Sequence, residues 1–319
     1  MRSWVFSLAM MSLAGGAAAA DVPPPNAALR YWMAFAQMEN PAAEGELAQR
    51  LERVAGGQEP WDQSLAPIVG RNEAALATMH RGARLERCDW GYETELLTDA
   101  PIANLPRART LARLNVLHGL RLWQQERRPE ALEAWLAGVH FARHIAAGGP
   151  LVSALVAASS LRAHLGALTR AVGERKLEPA TLARLERQIA ALPEDGIDWG
   201  AAARQESENM SGILAALEHA GDPVALLRSY FPDEHPAGPE AVRAAARRVR
   251  ALNDELRPRL VAALQRPYED AREPLRELDA RAGQDPLLGR TWPSTARLNE
   301  SRGELAQARA ALLAALHAR

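Results

Sequence analysis

The chain has 319 residues, of which 48% are hydrophobic and 24% charged, and its formal net charge is -1. That balance provides for a substantial core and excludes attraction to nucleic acid or anionic lipid by global charge. The single cysteine, Cys88, excludes an internal disulfide, so packing must stabilise the fold.

Arg2, an apolar run over residues 4–13 and the small residues ending at Ala18, Ala19 and Ala20 predict a secretory signal peptide over 1–20. The protein is therefore expected to be exported, periplasmic or extracellular. The alternative is a structural envelope protein anchored by an uncleaved signal. No later stretch offers the ~18–20 uninterrupted apolar residues of a membrane span. The nearest, 151–168, is broken by Arg162 and His164.

From residue 21 onward strong helix formers dominate and β-branched residues are sparse, which predicts helix almost throughout. Asn26 is placed to cap a helix over 27–38, and Gly56-Gly57 to stop one over 42–54. A third is expected over 65–80. Residues 87–106 hold Cys88, Asp89, Trp90, Gly91 and Tyr92 without a sustained period, which predicts a long loop of the kind that carries function. Leu111, Leu114, Leu117 and Leu120 form one stripe of a helix over 107–125. Pro129 sits at the start of its return over 131–146, and Gly148-Gly149-Pro150 leads into a helix over 151–172 rich in small residues. Further helices are expected over 178–192 and 197–220, followed by a Pro-rich link over 231–239. From 240 the positions Val242, Ala245, Val249, Leu252 and Leu256 make a seam for a partner helix, with Pro258 kinking or restarting it. The last helix runs from 294 to the end. The expected fold is an all-α array of antiparallel helical hairpins, solenoid-like or an irregular bundle. Its parts, 21–106, 107–195 and 196–319, are expected to pack as one continuous domain.

Gly119 and Leu122, followed by Ala131, Trp135 and Gly138, resemble the small, large, small, aromatic and small positions of one tetratricopeptide-type hairpin. Small residues there let two helices cross closely. Asn115, His118 and Arg143 depart from that motif, and no second copy follows. The Cys88-Asp89-Trp90-Gly91 loop, Glu130-Ala131-Leu132-Glu133, Arg143-His144 and the helix start at Pro150 are similar to an uncharacterised family of exported, mainly helical bacterial proteins. That resemblance implies a helical fold and no activity. The family's final helix continues into a Gly-Arg-Tyr-Pro-like turn, so His317-Ala318-Arg319 implies a truncated end relative to it.

His140 and His144 stand one helical turn apart and can share a metal, zinc being the expected ion, with His118 or His164 as a third ligand. Asp89 or Glu133 would complete the shell. The pair lacks the glutamate of H-E-x-x-H, so a protease base is missing. Cys88 beside Asp89 is a candidate nucleophile with no local activating group. Glu206 and Glu208, two apart on a helix, point to different faces and read as solvated. Trp61, Trp90 and Trp292 lie next to turns, capping the core or gripping a ligand. No complete catalytic set is present. The expected function is therefore an interaction or scaffold module that receives a protein or peptide partner in the envelope, with Asp89, Trp90 and Tyr92 on its rim. A metal-binding protein or metal-dependent enzyme built on the histidines is the alternative.

Overall fold

The Asn26 side chain accepts a hydrogen bond from the Ala28 amide and opens α1 (Ala27–Gln37), as its side-chain chemistry requires. The structure is a computed structural model that describes residues 24–39, 45–92, 104–174 and 177–318. The expected signal peptide over 1–20 and residues 93–103 of the expected long loop lie outside the described residues. After α1 come α2 (Glu46–Ala55), α3 (Ala66–Arg71), α4 (Glu73–Ala83), α5 (Leu105–Gln124), α6 (Arg128–Ala146) and α7 (Leu151–Gly173). They are followed by α8 (Pro179–Ala190), α9 (Trp199–His219), α10 (Pro223–Tyr230), α11 (Pro239–Leu264), α12 (Tyr268–Ala282), α13 (Pro286–Thr291) and α14 (Thr295–His317). No strand occurs among the described residues, so the fold is all-α.

The helix expected over 65–80 is two helices that meet at Asn72. Its side-chain amide donates to the Ile68 carbonyl at 2.9 Å, taking the place of its own backbone N–H, which turns to Val69. That substitution breaks the helical ladder. By contrast, α11 runs without interruption through Pro258, where a kink or restart is expected. Val249, Asn253 and Leu256 before the proline and Leu260, Ala263 and Leu264 after it are all buried, so packing outweighs the lost backbone bond. Short helices α10 and α13 start at Asp222 and Asp285, each of which accepts from two following amides.

At the centre lies α7, packed by α5, α6, α9 and α14. It is the described helix long and apolar enough to cross a membrane, yet most of that stretch is buried in the protein. Helix α6 packs between α5 and α7 along small residues. A β-carbon at Gly119 would overlap the Trp135 indole, and one at Gly138 would overlap the His164 imidazole. The indole N–H of Trp135 donates to the Val116 carbonyl at 3.1 Å. In the C-terminal half α9 packs along α11, where Asn253 is buried and bonded to Ser207 and Ser211. Arg302 of α14 is wholly buried against Asp195 at 2.7 Å and also donates to the Arg266 carbonyl. Glu206 is not on a solvated face: it is half-buried and accepts from the Leu151 amide at 3.2 Å, at the start of α7. Glu208 does face solvent, paired with Arg257.

Candidate functional site

A cavity of about 820 Å³ opens between α4, α6 and the link from α8 into α9. One stripe of α6 lines it: Glu133, Leu136 and Ala137, His140, then Arg143 and His144, recurring every three or four residues. His80 and Arg84 line it from the end of α4, Glu86 and Cys88 from the segment that follows, and Asp198 from the cap of α9. Pro193 and Gly196 shape the opposite wall, where a β-carbon on Gly196, at φ +78, would crowd Leu305 and Leu161.

The imidazoles here are neutral near pH 7. Burial pulls His140 below its ordinary value and His144 down to about 4, and the Arg143 guanidinium adds to both shifts. Burial lowers His80 too, with Arg84 adding to it. Tyr31 of α1 reaches His144 Nδ1 at 2.6 Å. Burial raises the phenol pKa, so Tyr31 is the O–H donor and Nδ1 the acceptor. The other nitrogen of His144 then carries hydrogen, and the Glu86 carbonyl accepts from the ring. The His140 ring makes no hydrogen bond among the described residues and stays open to the cavity.

The four candidate metal ligands do not converge. His140 and His144 share the cavity wall. His164 lies behind it in the core, with one ring nitrogen against the Ser160 carbonyl at 2.7 Å and the other against Asn115 at 3.1 Å. His118 packs beside His80, ring centroids 6.0 Å apart, and burial with its neighbours' positive charge lowers it to about 4. Among the described residues no group of three or more His, Cys, Asp or Glu side chains is placed to hold a metal. The Cys88 thiol is pushed up to about 12 by burial and by Asp89, so it stays protonated.

The three rim residues are built into the fold to different degrees. Trp90 is 6% exposed. Its ring lies parallel to Phe35 and next to Tyr31, and its N–H donates to the His144 carbonyl at 2.6 Å. Asp89 exchanges backbone hydrogen bonds with the Asn26 side chain, tying the segment to the start of α1. Tyr92 lies against Gly148 and Gly149 at the α6–α7 turn. Trp61 and Trp292 are half-buried, the latter donating to Asp279 of α12 at 3.0 Å.

Sequence reasoning missed His80, Arg84, Tyr31 and the role of Asn115. The signal for Asn115 was present, as a polar residue inside the leucine stripe of α5 must find buried partners. Comparison with protein-family models, curated proteins and solved structures finds no match. The functional reading therefore rests on the cavity itself.

Proposed function

We propose that this protein is an exported binding module of antiparallel helical hairpins, which takes a small acidic molecule into the cavity between α4, α6 and the α8–α9 link. One observation carries the reading. Arg84 and Arg143 line the cavity with no ion-pair partner among the described residues. The acids beside them are engaged elsewhere: Glu133 pairs with Arg184, and Asp198 accepts from the Ala201 amide as the cap of α9. Glu86, like Arg84 and Arg143, is exposed to water at the rim. A carboxylate suits unpaired guanidinium groups because it accepts two parallel hydrogen bonds from one and has outer lone pairs left for the other.

Neutral His80 and His140 add donors and acceptors without adding charge. The volume lies within the roughly 300–1,000 Å³ of small-molecule sites, which favours a solute over the peptide partner expected from the helical pattern. A protonated Cys88, with no nucleophile paired to a base among the described residues, favours binding over catalysis.

Calorimetric titration with mandelate tests the proposal. Saturable binding is expected, weakened at least about tenfold by the double substitution Arg84→Gln, Arg143→Gln. Uptake of benzylamine in place of mandelate overturns it.

A further inference from the structure

Asn115 is fully buried, and all of its amide hydrogen-bonding capacity on the nitrogen side is committed. The hydrogens along this chain can be placed one by one. The Ser160 carbonyl can only accept, so His164 Nδ1, 2.7 Å away, must carry hydrogen. Burial keeps that ring neutral, which leaves Nε2 bare to accept from Asn115 Nδ2 at 3.1 Å. The second amide hydrogen of Asn115 goes to the Ala134 carbonyl at 2.7 Å. Asn115 Oδ1 is thereby turned to α4, where it accepts from His80 Nε2 at 2.7 Å. His80 is also neutral, so its lone pair resides on Nδ1.

That nitrogen has no hydrogen bond among the described residues, is not sealed by the protein, and belongs to a residue that lines the cavity. Arg84, the residue that caps the end of α4, follows four residues later and lines the same cavity. An anion site and an acceptor site are thus adjacent.

Resting on the reading of the cavity as a site for a small acid, we propose that His80 Nδ1 selects ligands that present a hydroxyl or amine hydrogen beside their carboxylate, with Asn115 and His164 as positioning residues. Gly138 is part of the device, since its missing β-carbon is what lets α6 lie against the His164 ring.

Two measurements test this. Nitrogen NMR of the native protein at neutral pH is expected to show His164 as the Nδ1–H tautomer and His80 as the Nε2–H tautomer. His164 protonated on Nε2, or His80 on Nδ1, overturns the assignment. Mandelate and phenylglyoxylate share a carboxylate and a ring but differ in offering a hydroxyl donor or a carbonyl acceptor. Mandelate is expected to bind about tenfold more tightly, because the ketone leaves Nδ1 facing a second acceptor. Asn115→Ala is expected to narrow that preference to within about threefold while averaging the two tautomers of His80, a pairing that loss of packing alone would not produce. Equal or stronger binding of phenylglyoxylate to the native protein overturns the proposal. Binding of neither acid, with both tautomers as expected, overturns the small-acid reading of the cavity and the ligand preference together, and leaves the hydrogen placement standing. Should Asn115→Ala fail to fold, the native tautomers and the native preference decide.

Discussion

The helices around the cavity and those of the C-terminal half are joined by different chemistry. Between α1, α4, α5, α6 and α7 runs a series of neutral buried contacts: Tyr31 to His144, His80 to Asn115, Asn115 to His164. Around α9, α11 and α14 the neutral contacts of Asn253 are joined by the buried pair of Arg302 with Asp195 and by pairs nearer the surface, Arg257 with Glu208 and Arg248 with Asp285. A neutral chain orients each ring and leaves particular atoms open, whereas an ion pair fastens two elements and consumes both partners. The cavity takes its unspent donors and acceptors from the first set of helices and its opposite wall from the α8–α9 link.

The largest break in the comparison is expected from Trp135→Ala, which empties the crossing of α5 and α6 at Gly119. Urea unfolding should show a loss of about 4 kcal/mol. Arg302→Ala leaves Asp195 buried beside an absent partner and should cost about 3 kcal/mol. Restoring neutrality with Asp195→Asn in the same chain should recover part of it. A double variant no better than the single one would show that the guanidinium acts by filling space.

Acidification should separate the halves next. His118, His144 and His164 fall from about 6.5 in the unfolded chain to about 4 in the folded one, chiefly through burial. Between those pH values the unfolded chain binds protons that the folded chain refuses, so stability is lost as pH falls. Asp195 and Glu206 have the opposite sign: burial raises both, and their contribution is lost as pH rises through the folded values. Hydrogen exchange at pH 5 and pH 7, corrected for intrinsic rates, should show protection falling further in α5–α7 than in α9. An equal fall in both would remove the distinction. The smallest effect is expected from Glu206→Ala, which uncaps α7 and should cost about 1 kcal/mol in urea unfolding.

Local chemistry made much of the fold legible. Asn26, the Gly148-Gly149-Pro150 turn and the leucine stripe of α5 each mark a boundary or a face through near neighbours in the chain, and the structure places helices there. Gly119, Trp135 and Gly138 were readable as a close crossing for the same reason. His140 and His144 could be paired because four residues make one turn, and both do line the cavity. His80 could not be joined to them, since its partner Asn115 lies 35 residues away and His164 another 49 beyond that. Glu206 misled because its polarity suggests water, while its partner is the amide at the start of α7, 55 residues earlier. Trp90 was open to either reading until its parallel stacking on Phe35 fixed its place.

The packing of α14 on α7 carries a consequence for biogenesis. Glu304 pairs with Arg162, and Leu305 lies with Leu161 around Gly196, so the central helix is covered by a segment that lies far downstream in the chain. A nascent chain halted before residue 295 would leave the α14-facing side of α7 bare and prone to aggregation, with α5, α6 and α9 covering the rest. Holdase chaperones should therefore remain on this polypeptide until residues 295–317 have emerged.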